Sequence, residues 1–150
     1  MAHTHTDFLS HIVFSTYGRA ALIVDEIRDD VYRYLGGILR ELRAVPIITG
    51  GMPDHVHLLV RMPADLSPAD CVRTLKSNST GWIKEKWPKC RSFAWQGGYG
   101  GFSVSQSQRA AVIRYIQGQP SHHRKLTFQE EFLALLKKHG VEFDERYLWQ

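Results

Sequence analysis

VPIITGGMPDHVHLLVRM, residues 45–62, decides the fold. Val45 to Thr49 is rich in β-branched residues and reads as a strand, stopped by Gly50-Gly51. His55 to Met62 reads as another strand. The Met52-Pro53-Asp54 connection between them is too short for a crossover, so the two strands are antiparallel neighbours. Side chains alternate faces along a strand. His55 and His57 therefore project together, while Val56, Leu58 and Val60 point the other way and anchor the strand in a core.

Towards the N-terminus, apolar residues recur at Ile27, Val31, Leu35, Ile38 and Leu42. Steps of three and four predict a helix over 24–43 with one buried stripe, its positive end favoured by Asp25 and Glu26. Phe8 to Tyr17 (FLSHIVFSTY) reads as the first strand, ended by Gly18. Towards the C-terminus, Ser67-Pro68-Ala69-Asp70 opens a helix: Ser67 caps, Pro68 suits the first turn, and Asp70 stands where a capping box wants an acid. That helix runs to about Trp87, where Pro88 stops it. Phe102 to Val104 reads as a last strand and Gln108 to Gln117 as a helix. Thr127 to Lys138 is a final amphipathic helix with Phe128, Phe132, Leu135 and Leu136 on one side, ended by Gly140. The order strand, helix, strand, strand, helix, strand is the split βαβ, ferredoxin-like pattern of the α+β class. It implies an antiparallel sheet with two helices on one face, followed by C-terminal helices that carry Tyr115.

The 150 residues, 43% of them hydrophobic, suffice for one globular core, and without repeats or charge blocks residues 1–150 read as one domain. Nineteen Lys and Arg against fifteen Asp and Glu give a net charge of +4, a mild bias compatible with an anionic partner. Cys71 and Cys90 form no CxxC pair, which argues for free thiols rather than a zinc site or disulfide. The polar opening Met1-Ala2-His3-Thr4-His5-Thr6-Asp7 does not read as a signal peptide. No apolar run is long enough to span a membrane, so a soluble, cytoplasmic protein is expected. A phosphate-binding GxxxxGK loop is missing, and no nucleotide cofactor is expected.

Two features carry chemistry. Imidazoles two apart on a strand, His55 and His57, can bind one metal ion, although a bare His-x-His also fits one packed ring and one solvated ring. Tyr115 and Gln119, four apart, share a helix face. A phenol beside an amide oxygen can offer one phosphate both a nucleophile and a further metal ligand, whereas an isolated tyrosine on such a helix is ordinarily a core residue. Gly118 between them weakens the helix. Arg73, Lys76, Lys84 and Lys86 on the second long helix are candidates for the DNA backbone, or a solvated face. Trp82, Trp87, Phe93, Trp95 and Tyr99 could stack on bases, but mostly belong to the core. His122 and His123 receive no role, and His3, His5, His11 and His139 read as ordinary structural positions.

With both features in place, the chain resembles the single-tyrosine HUH transposases of the smallest bacterial insertion sequences, the IS two-hundred-like group. HUH denotes two histidines flanking a hydrophobic residue, here His55-Val56-His57. The likeness also covers Gly50 to Val60, Trp95-Gln96-Gly97-Gly98-Tyr99-Gly100, Phe102-Ser103-Val104-Ser105, Tyr115 with Gln119, His122-His123, and the opening His11 to Thr16. One departure is Gly118, where the group often has asparagine.

The resemblance implies a dimerising ferredoxin-like domain in which Tyr115 attacks a DNA phosphate, leaving a 5′-phosphotyrosine and a free 3′-hydroxyl. His55, His57 and Gln119 would hold Mg²⁺ or Mn²⁺, and the substrate would be single-stranded DNA with hairpin ends. In this group the tyrosine helix of one subunit can complete its partner's histidine site. Two neutral imidazoles and an amide would leave the ion its full charge for the phosphate. The alternatives are a host-serving single-tyrosine nuclease acting on palindromic repeats, and a non-catalytic single-stranded nucleic-acid binder. No RNP1-like strand favours the latter.

Overall fold

A computed structural model describes residues 3–149; Met1 and Ala2, on which part of the signal-peptide reading falls, lie outside the described residues. The chain runs β1 (Phe8–Ser15), α1 (Asp25–Glu41), β2 (Val45–Met52), β3 (His55–Met62), α2 (Pro68–Lys86), β4 (Gly100–Val104), α3 (Arg109–Gln117), α4 (Gln119–His122) and α5 (Phe128–Lys138). All strand pairs are antiparallel, in the order β2-β3-β1-β4, which is the ferredoxin-like arrangement.

Alternation along β1 and β3 gives the sheet two apolar faces. Ile12, Phe14, Val56, Leu58 and Val60 pack against Ile27, Val31 and Leu35 of α1 and Val72, Leu75 and Ile83 of α2. Val56, Leu58 and Val60 are wholly buried. At roughly 1.5–3 kcal/mol for each such side chain, these three fix β3, and with it the direction in which His55 and His57 point. The second face is covered by the C-terminal helices. Val13 and Phe102 meet Phe128, Phe132, Leu135 and Leu136 of α5, while Leu9 and Leu59 meet Ile116 of α3.

Helix ends follow the local chemistry. The Ser67 hydroxyl accepts from the Asp70 N–H at 3.0 Å, with Pro68 in the first turn. Trp87, ahead of Pro88, is extended and ends α2. Thr127 and Glu130 form a reciprocal capping box at the start of α5. Three boundaries differ from the sequence reading. β1 ends at Ser15, although Thr16 continues its register: the Thr16 N–H donates to the Asp54 carbonyl at 2.9 Å, and Thr16 forms an isolated bridge with Trp95. β4 begins at Gly100 rather than Phe102, since Gly100 and Gly101 pair with Val13 and Ile12.

The third difference is the most informative. β2 does not stop at Gly50-Gly51 but runs through them to Met52, pairing Gly50 with His57 and Met52 with His55. Glycine here provides room, not a break. A Cβ on Gly50 would lie 2.6 Å from the Ile116 carbonyl oxygen, and one on Gly51 (φ 154°) would lie 2.2 Å from that of His55. The bare strand lets the tyrosine-bearing helix lie directly on the sheet beside His57.

Candidate metal and nucleophile site

β3 delivers His55 and His57 to the second face, where both rings are fully buried beneath α3, α4 and α5. They meet a polar pocket rather than a dry one, built around Glu131 of α5. The Nε2 N–H of His57 donates to Glu131 Oε1 at 2.9 Å, His55 Nε2 lies 3.4 Å from the same oxygen, and His123 Nε2 lies 3.1 Å from it. The other oxygen, Oε2, accepts from the Gln119 amide at 2.7 Å and from the Tyr115 hydroxyl. The carbonyl of Gln119 in turn accepts from His55 Nε2 at 2.8 Å.

Tyr115 and Gln119 are brought together as their spacing suggested, though not on one continuous helix. α3 ends at Gln117, and Gly118 (φ −86°, ψ 9°) links it to the short α4, which begins with Gln119. The Gly118 N–H still bonds the Arg114 carbonyl at 3.0 Å, so the axis barely breaks. The Tyr115 ring stands edge-on to His57 at 5.7 Å within the same chain.

Outward-facing nitrogens are also held. His55 Nδ1 donates to the Asp54 carboxylate at 2.7 Å, and His57 Nδ1 lies 2.8 Å from Nε2 of the buried His11. These contacts set the charges. Burial would discharge His55, but its bonds to Asp54, Glu131 and Gln119 outweigh that and push it up to about 9. In His57 burial prevails and the ring is held below its ordinary value. His11 falls to about 3, through burial and then the neighbouring His57. Burial opposes the charge on Glu131, yet the donors His123, His55 and His57 hold it far below the usual carboxylate range. Burial and the Glu131 carboxylate raise the Tyr115 phenol well above its normal value, so it stays neutral.

The donor set suits a divalent cation. One donor atom from each of His55, His57 and Glu131 lies within 4.8 Å of the others, and the Gln119 carbonyl abuts the same space. Imidazole nitrogens with hard oxygens and no thiolate match Mn²⁺ or Mg²⁺ better than structural zinc. Glu131 changes one expectation: the donors are not all neutral, because a carboxylate stands among them. The sequence carried a signal for it. Glu131 falls inside the apolar stripe of α5, three after Phe128 and four before Leu135, where a charge needs a buried partner. His11 left no such signal, because only the β1–β3 register brings it to His57.

Arg73, Lys76 and Lys84 lie elsewhere, lining a cleft with Phe93, Trp95 and Tyr99 on the α1–α2 side of the sheet. Arg73 is paired with Asp70 at 2.6 Å, and the Lys76 ammonium donates to the carbonyls of Gln96 and Gly98 at 2.8 and 2.6 Å. Lys86 sits over Trp82 and Trp87, 3.5 Å from Asp30. Phe93 and Trp95 are core residues, as expected, while Tyr99 is exposed. Among the described residues, no helix is long and apolar enough to cross a membrane.

Comparison with known proteins gives a consistent picture. The family described as "Transposase IS200 like" matches residues 4–119. The ISDra2 transposase TnpA of Deinococcus radiodurans is 28% identical over 114 residues, 73% of this chain and 81% of the relative. A crystallised Deinococcus radiodurans R1 protein described as a transposase superposes with a TM-score of 0.66 at 25% identity, over 79% of this chain and 95% of that one. A REP-associated tyrosine transposase bound to a REP hairpin shares the fold, with a TM-score of 0.62 at 13% identity, over 82% and 74% of the two chains.

Proposed function

The chain belongs to the IS200-like transposase family, a group of DNA strand-transfer enzymes, and on that premise we propose that it cuts and rejoins single-stranded DNA through a 5′-phosphotyrosine on Tyr115. The observation that carries this reading is the meeting of the Tyr115 hydroxyl and both HUH imidazoles on one carboxylate, that of Glu131. Nucleophile and cation donors thus converge on a single point.

His55, His57 and Glu131, with the Gln119 carbonyl, would hold Mg²⁺ or Mn²⁺. A divalent ion there would draw charge from the scissile phosphate and favour in-line attack. Glu131 and Gln119 aim the phenol, and β3 keeps the imidazoles from moving away. Tyr115 Oη bonds to phosphorus, the bond to the 3′-oxygen breaks, the phenol proton passes to water, and the 3′-oxygen takes a proton from water and leaves as a hydroxyl. The phosphotyrosine keeps the energy of the broken ester, so a 3′-hydroxyl can reverse the step without a nucleotide cofactor.

Residues 1–150 act in this reading as a single HUH domain, working as a cytoplasmic homodimer on single-stranded DNA with hairpin ends. The fold shared with a hairpin-bound tyrosine transposase supports the hairpin part. Cationic Lys84 and its neighbours Arg73 and Lys76 offer a backbone contact on the far face, while Lys86, over Trp82 and Trp87, lies outside that cleft. The test is cleavage of single-stranded oligonucleotides that carry the hairpins flanking the gene. Cleavage should need Mn²⁺ or Mg²⁺ and disappear in His57→Ala. Salt-sensitive binding without any cleavage would favour the non-catalytic binder instead.

A further inference from the structure

The two HUH imidazoles are supported differently. Behind His55 stands a carboxylate, Asp54, which can only accept a hydrogen bond. Behind His57 stands another imidazole: His11 Nε2 lies 2.8 Å from His57 Nδ1, with the ring centroids 5.0 Å apart and the planes inclined at 29°. A neutral imidazole can give or take a proton bond, depending on which nitrogen carries the hydrogen. His11 cannot easily turn away. It is buried, and it meets Phe102 and Tyr115 edge-on at 6.2 and 6.0 Å.

That difference matters because His57 faces two partners in turn. As the structure stands, its Nε2 donates to Glu131 Oε1, so its Nδ1 must accept. Once Nε2 offers its lone pair to a cation, the hydrogen of the neutral ring sits on Nδ1, which must donate. An acceptor-only neighbour would fail the first arrangement, and a donor-only neighbour would fail the second.

We propose that His11 is the positioning residue of His57, donating to Nδ1 in the metal-free site and accepting from it when Nε2 turns to metal. This rests on the metal-site reading above. The protons balance. One leaves Nε2 of His57, the one shared between the rings shifts from His11 Nε2 to His57 Nδ1, and one enters Nδ1 of His11, a residue that lines a cleft with Ser103 and Gln108. Both rings remain neutral throughout. His11 therefore keeps His57 oriented in both states without adding charge to the donor set.

The test compares His11→Phe, which fills the space but forms no hydrogen bond, with His11→Gln, whose amide can give or take one at the same reach. Mn²⁺ affinity is measured by calorimetry, and the His57 tautomer by long-range proton–nitrogen NMR, metal-free and with diamagnetic Mg²⁺. His11→Phe should weaken Mn²⁺ binding about 10–100-fold, and His11→Gln should restore it to within about threefold. Wild-type His57 should carry its hydrogen on Nε2 without metal and on Nδ1 with it. Wild-type-like binding by His11→Phe, equal losses in both variants, or an unchanged tautomer would each overturn the proposal alone. Wild-type protein whose Mn²⁺ binding is absent, or survives His57→Ala, would overturn the metal-site reading, and this proposal with it.

Discussion

The Tyr115 hydroxyl donates to Oε2 of Glu131, the oxygen that also accepts from the Gln119 amide. The other oxygen of the same carboxylate serves His57, His55 and His123. One anionic side chain on α5 thereby ties the Tyr115 phenol to both HUH imidazoles and holds α5 over the sheet.

Removing that carboxylate should affect stability and metal binding together. Glu131→Ala leaves a charged His55 and several donors buried without their acceptor, and breaking such a group costs about 3–5 kcal/mol. The variant should lose about that much in urea unfolding without metal, and its Mn²⁺ affinity should fall at least tenfold. Glu131→Gln, which keeps acceptors but not charge, should fall between. Wild-type affinity in both variants would remove Glu131 from the donor set.

His55 supplies a pH signature. Its folded value is raised from 6.5 to about 9, so the folded state binds this proton more tightly than the unfolded chain. The resulting stability is fully present below about pH 6.5 and is lost as pH rises through about 9, amounting to as much as about 3 kcal/mol. Glu131 acts at the acid end, where its depressed value makes stability fall below about pH 4.5. Metal binding has the opposite slope to His55 protonation, since the ion displaces that proton. Mn²⁺ affinity should climb close to tenfold per pH unit from 7 to 8, and titration calorimetry at the two values checks it. A flat profile would mean that His55 is not a ligand.

Gly50 is where the strand leaves room for the helix that carries Tyr115. An added Cβ would stand 2.6 Å from backbone oxygen and 2.8 Å from Cγ2 of Ile116, the neighbour of Tyr115. Gly50→Ala should therefore cost about 1–3 kcal/mol by overpacking and lift α3 from the strand. Cleavage should fall by more than tenfold while Mn²⁺ binding, held by β3 and α5, changes less than threefold. Equal losses of both would show that α3 and the metal donors move as one body.

Much of this was legible in the sequence, for reasons tied to particular residues. Period-two alternation around Val56, Leu58 and Val60 fixes β3 and places His55 and His57 on one face. Period-3.6 stripes reveal α1 and α5, and the Ser67 cap marks the start of α2 to within a residue. Gly50-Gly51 misled because glycine signals two opposite things, an interrupted strand or a strand approached closely, and only the packing of Ile116 separates them. Glu131 was passed over because a carboxylate next to the capping residue Glu130 looks like part of a solvated first turn. His11 was passed over because its partner His57 lies 46 residues away, and only the β1–β3 register brings the two rings together.

The proposed covalent joining of Tyr115 to DNA, at a site made by His55 and His57, is read out by mass spectrometry of the protein after incubation with a hairpin oligonucleotide and Mn²⁺, followed by nuclease trimming and proteolysis. A phosphonucleotide on the peptide containing Tyr115, absent from Tyr115→Phe and from His57→Ala, is the predicted result. An adduct that survives Tyr115→Phe, or maps to Tyr99, would contradict it.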